Sequence, residues 1–109
     1  MPTHGPNIEI RSAARQEDSK PRLLIDGRLI KAPRAQLALV ACLYDELGRV
    51  VPYQRLCQVI GHRSSHDRQL RILRQQMVLV RRLLATHNAD CFLAVTGGVG
   101  YALCEVAQG

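Results

Sequence analysis

Apolar positions along the chain change their spacing several times, and each change marks an element. In NIEIRS, Ile8 and Ile10 alternate with polar neighbours, the period of a half-buried strand. The polar stretch AARQEDSKP follows, and Pro21 closes it as a loop. RLLIDGRLIK then places two apolar runs around Asp26-Gly27, a pair that readily takes the positive φ angles of a type I′ turn. A hairpin over about 22–25 and 28–31 is predicted.

From Pro33 the period lengthens to that of a helix. Leu37, Val40, Ala41, Tyr44 and Leu47 recur at three- and four-residue steps, Pro33 suits the first helical position, and Gly48 is a stop. Arg49-Val50-Val51 is long enough only for a connecting strand. Pro52 opens a second, short helix with Tyr53, Leu56, Val59 and Ile60 inward, and Gly61 ends it. Ser64 or Ser65 supplies an N-cap for a third helix over about 66–86, which Asn88 terminates. CFLAVT, Gly97-Gly98 and GYALCEV read as strand, turn and returning strand. Residues 1–7 hold two prolines and a glycine and are expected to be disordered, leaving residues 8–107 as a single domain.

The third helix has two unlike faces. At 100° per residue, Leu73, Met77, Val80 and Leu84 fall within about 40° of one another, and Leu70, Ile72 and Leu83 widen the stripe. Opposite them lie Arg68, Arg71, Gln75, Val78 and Arg82. With Arg74 and Arg81, residues 68–86 hold five arginines and no acid. Solvated helix faces usually mix signs, because opposite charges four apart stabilise a helix and like charges repel. A face that keeps arginines without acidic neighbours calls for an anionic partner. Arg68, Arg71 and Gln75 also sit near the helix N-terminus, where the dipole and free N–H groups favour phosphate.

Charge over the whole chain points the same way. Fifteen Lys+Arg against nine Asp+Glu in 109 residues give +6, and all the cations but Lys20 and Lys31 are Arg. Arg presents a planar fork suited to phosphate and to guanine edges. The length excludes a multidomain enzyme, and no stretch approaches the ~20 apolar residues of a membrane span. MPTHGPNIEIRS has no apolar segment of the secretory kind, so a cytoplasmic protein is expected. The cysteines Cys42, Cys57, Cys91 and Cys104 show no CxxC spacing and sit in apolar runs, as reduced and buried thiols would. Cys57, His62 and His66 form part of a zinc pattern but lack a fourth ligand, so neither metal nor cofactor is expected.

Two short helices, a long basic helix and a closing hairpin follow the order of a winged helix-turn-helix. The residues Ile25-Asp26-Gly27, Leu37 through Leu43 leading to Gly48-Arg49-Val50-Val51, then Leu56, and the tail Val95-Thr96-Gly97-Gly98-Val99-Gly100-Tyr101-Ala102-Leu103 resemble the bacterial OmpR/PhoB-type response-regulator effector domain, without its receiver domain. The resemblance spans about residues 22–105. It implies an α+β fold of N-terminal antiparallel strands, three helices and a C-terminal hairpin wing. It also implies a third helix in the major groove of DNA, a wing on the backbone or minor groove, and a loop before the third helix that meets RNA polymerase. Gly97 stands where the family carries a wing Arg, and Val78 and Leu79 stand where its third helix is often basic.

The expected function is therefore sequence-specific double-stranded DNA binding by a transcription regulator. The site residues would be Arg68, Arg71, Arg74, Gln75, Val78, Arg82 and Gly98. Arg68 or Arg71 would grip phosphate or guanine, Gln75 would read adenine, and Val78 would touch a thymine methyl. The alternative is a protein-interaction module that binds another regulator or RNA polymerase through Val78 and Leu79. Scattered His4, His62, His66 and His87 and a GGVG between two strands give no enzyme. One winged helix reads a short half-site, so a monomer that pairs on DNA, or a weak homodimer docked through the Ile8–Ile30 strands, is expected.

Overall fold

The computed structural model describes residues 7–11, 21–61 and 65–106. Six strands and three helices run in the order β1 (Ile8–Arg11), β2 (Arg22–Ile25), β3 (Arg28–Ile30), α1 (Arg34–Asp45), β4 (Val51–Pro52), α2 (Tyr53–Ile60), α3 (His66–Thr86), β5 (Cys91–Thr96) and β6 (Gly100–Glu105). The strands form two antiparallel sheets, ordered β1-β2-β3 and β4-β6-β5.

Local chemistry accounts for most of the boundaries. Ile25 pairs with Arg28 across a two-residue turn in which Asp26 and Gly27 have φ of 55° and 76°, the positive values a type I′ hairpin needs. Pro33 and Pro52 sit at the N-cap positions of α1 and α2, one residue earlier than the expected first helical position. Gly61 closes α2 in the left-handed conformation, φ 69°. The Ser65 hydroxyl accepts from the Arg68 N–H and caps α3, and Asn88 follows α3 with φ 54°.

The core lies between the sheets and the helices. It takes Leu23, Ile25, Leu39, Val40, Leu43, Leu56, Leu73, Met77, Val80 and Leu103, all essentially inaccessible to solvent. The four α3 positions expected inward are all buried. The stripe expected on α1 is corrected. Leu39 and Leu43 are fully buried, whereas Ala41 and Tyr44 are only half-buried and Leu47 lies beyond the helix end. The cause is position: α1 touches α2, α3, β2 and β6, so its buried arc runs about 160° from Leu39 through Leu43, Gln36 and Val40 to Leu37.

Asn7 departs from the expected disorder of residues 1–7; residues 1–6 lie outside the described residues. Its side-chain amide donates to Asp26 Oδ1 (2.8 Å) and to the Asn88 carbonyl (3.1 Å). Its side-chain oxygen accepts from the Asp90 N–H (2.6 Å), and its backbone carbonyl from the Asp26 N–H (3.0 Å). Asp26 and Asn88 are the two non-glycine residues with positive φ among those described, so one side chain holds both left-handed corners.

All four cysteines are free; Cys57 and Cys91 are buried, while Cys42 and Cys104 are half-buried rather than fully enclosed. Burial, reinforced by nearby Glu105 and Asp90, pushes the Cys91 thiol up to about 11. Cys57 and His66 belong to different helices, α2 and α3, and His62 lies outside the described residues.

Candidate nucleic-acid interface

The candidate surface is built on α3. Its inward stripe is held at zero to two per cent exposure, which fixes the rotation of the helix about its axis. Arg68, Arg71, Gln75 and Arg82 are then exposed on the opposite face, within about 60° of one another, and Val78 lies at the edge of that arc. The capped N-terminus of α3 leads into this face, with Asp67 in the first turn.

Arg74 and Arg81 occupy a flank about 90° from the buried stripe, and the β5–β6 hairpin lies on that side. Arg81 Nη2 donates to the Leu93 carbonyl of β5 at 3.3 Å. Burial raises the Tyr101 phenol of β6, the Tyr53 hydroxyl adds to this, and the Arg74 and Arg81 guanidiniums oppose it. Both guanidiniums are therefore within electrostatic reach of the Tyr101 oxygen. Sequence patterning left Arg81 out of the site, although it stands seven residues from Arg74 in the same helical row. The hairpin's position, which no spacing reveals, gives that row its meaning.

The hairpin tip is held from α2. The Tyr53 N–H donates to the Val99 carbonyl (3.1 Å), its hydroxyl to the Thr96 carbonyl (3.4 Å), and its ring meets Tyr101 edge-on at 5.6 Å. Thr96 pairs with Gly100, so the turn is three residues, Gly97–Val99, rather than the two expected. Gly98 takes the positive φ, 78°, and Gly97 does not. Gly98 thus sits at the hairpin tip, held from Tyr53 of α2 and apart from the six α3 site residues.

Gly100 lies where the backbone of β4 covers β6 and leaves no room for a side chain. A Cβ there would overlap the Val51 carbonyl oxygen, because β4 pairs antiparallel with β6 and Pro52 stands opposite Gly100. The second glycine of G-x-G-Y carried this signal in the sequence, and only the pairing of β4 with β6 explains it.

Val78 and Leu79 do not form one patch. They point about 100° apart, with Gln75 and Arg82 between them. Val78, 51% exposed, lies toward the hairpin, and Leu79, 37% exposed, lies on the far flank. This spreads the protein-contact surface expected there over two sides of the helix.

The chain matches a crystal structure of the DNA-binding domain of response regulator AdeR in complex with an intercistronic region. The TM-score is 0.71 over 91% of this chain and 95% of that one, at 18% identity. The fold is a winged helix-turn-helix. No family model matches the sequence, and neither does any curated protein. In winged-helix terms, α2 and α3 are the helix-turn-helix pair and β5–β6 is the wing. The wing has no Lys or Arg from Cys91 to Val106, and it exposes Phe92, Val95 and Val99. Among the described residues no helix is long and apolar enough to cross a membrane.

Proposed function

We propose that this winged helix binds double-stranded DNA as a transcription regulator, with α3 in the major groove and the wing beside it. The observation that carries the proposal is the state of the α3 arginines. Arg68, Arg71, Arg74, Arg81 and Arg82 are all exposed, and none is paired with a described carboxylate. By contrast, Arg11 pairs with Glu9 and Arg55 with Glu46. Five uncompensated guanidiniums on one helix attract a polyanion, and the helix N-terminus adds the dipole and N–H groups that phosphate uses. Arg71 and Gln75, one turn apart on the outward face, suit guanine and adenine edges, with Arg68 and Arg82 on flanking phosphates. The AdeR domain, a fold relative, is bound to an intercistronic region in its crystal structure, which supports the same partner here. The separation of Val78 from Leu79 counts against a protein interface built on that pair.

The test compares Arg71→Ala with Arg34→Ala, which removes the same charge from α1, on duplexes enriched from a random pool. Arg71→Ala is expected to weaken binding by about 1–3 kcal/mol and relax preference at one base pair if it reads a base. If it holds phosphate, the loss is uniform across sequences and the log–log salt slope falls by about one. Equal losses for the two variants, measured by fluorescence anisotropy, overturn α3 as the reader.

A further inference from the structure

We propose that the cleft between the C-terminal half of α3 and β5 is a binding site for a small aryl carboxylate. The cleft has a volume of about 300 Å³, and its lining includes Arg81, Leu84 and Ala85 from α3 and Cys91, Phe92 and Leu93 from β5. Most of this lining is apolar. Leu84, Cys91 and Leu93 are buried, the small Ala85 leaves the space open, and Phe92 is half-exposed beside it, a ring on which a second ring can stack. An apolar cavity of about 150 Å³ takes benzene, so this one has room for a ring and a short acidic side chain.

One end of the cleft is suited to an anion. β5 is the outer strand of its sheet, with β6 on one side only. The Asp90 carbonyl accepts from the Val106 N–H at 2.8 Å, and antiparallel bonds alternate, so Cys91, Leu93 and Val95 turn their N–H and C=O groups away from β6. On that free edge the Leu93 carbonyl accepts from Arg81 Nη2 at 3.3 Å, longer than the usual ~2.9–3.0 Å. Nothing among the described residues accepts from the Leu93 N–H beside it. Arg81 meets no described carboxylate either. A carboxylate there takes one oxygen to the Arg81 guanidinium and the other to the Leu93 N–H, supplying the acceptor that this N–H lacks. Asp90 and Glu105 act on the Cys91 thiol, which lies about 7 Å along β5 from Leu93. Their charges repel an anion from that end, and the thiol, held protonated, adds none. The apolar body of the ligand therefore lies toward Cys91 and Ala85, with its carboxylate at Arg81.

The probe is phenylacetate, titrated into the ¹⁵N-labelled protein and followed through its backbone amides. No DNA is present, so the outcome is separate from the DNA-binding reading. The Leu93 amide is expected to shift most, with a Kd near ~1 mM, ordinary for a ligand of about ten non-hydrogen atoms. Phenylacetamide keeps the shape and loses the charge, and should bind about tenfold more weakly. Arg81→Gln should remove that difference, and Ala85→Leu, which fills the cleft, should abolish binding of both. Arg34→Gln removes the same charge from α1 and should keep the tenfold ratio. Equal binding of acid and amide by the intact protein, shifts confined to residues outside the cleft, or no shift up to about 10 mM phenylacetate overturns the proposal without recourse to any variant. A ratio that survives Arg81→Gln overturns it as well.

Discussion

Gly97 and Gly100 are three residues apart in the same hairpin and answer to different constraints. Gly100 is fixed by contact: any side chain there drives a carbon into the Val51 carbonyl. Gly97 has neither a left-handed φ nor a neighbour within 4 Å of an added Cβ. Gly100→Ala is therefore expected to destabilise the fold by about 1–3 kcal/mol, as overpacking does. Gly97→Arg should leave the melting temperature nearly unchanged and strengthen binding to most duplexes alike, by adding a cation at the wing tip. Paired melting and anisotropy measurements check both. A melting loss for Gly97→Arg equal to that of Gly100→Ala would show that the turn needs glycine at both places.

At the scale of elements, α3 shows how one helix separates stability from recognition. Leu73, Met77, Val80 and Leu84 hold it against the core, and its arginines face outward or toward the wing. Leu73 is fully enclosed in the core cluster, and its helix packs against α1, α2 and β5. Leu73→Ala is expected to cost roughly 2–5 kcal/mol in chemical denaturation, the range for a buried Leu that leaves a cavity. A loss below about 0.5 kcal/mol would match an exposed position and contradict the burial. The 3.6-residue period made this helix legible from its sequence, because it has one buried side. The same template misplaced the α1 stripe, since α1 is packed on several sides and its apolar residues, Leu37, Leu39, Val40 and Leu43, occupy nearly half its circumference.

Over the whole molecule, the two sheets are far apart in sequence and are tied at Asn7. This side chain links the β2–β3 turn to the α3–β5 connection, 19 and 81 residues away. Removing it leaves the Asp90 N–H, the Asn88 carbonyl and Asp26 without that partner. Asn7→Ala is expected to destabilise by about 0.5–1.5 kcal/mol, because the groups it leaves can be rehydrated. Amide hydrogen exchange should rise at Asp26 and Asp90 before it rises in the core of α3. Unchanged exchange at both amides would show that the tie carries no stability.

The order of elements, the β2–β3 turn, the limits of α3 and its buried stripe were all determined by the sequence itself. Each depends on neighbours a few residues apart: positive φ at Asp26-Gly27, the Ser65 cap, and apolar side chains at three- and four-residue steps. The outward placement of Arg68, Arg71, Gln75 and Arg82 followed from the same periodicity. Tertiary structure alone decided which flank of α3 meets the wing, and with it the place of Arg74 and Arg81 near Tyr101. It also decided that Val78 and Leu79 face different ways relative to the wing, that Gly100 must lack a side chain, and that Asn7 is an anchor. These depend on contacts between segments tens of residues apart, and such contacts leave no periodic trace in the chain because each is set by where a second element comes to rest.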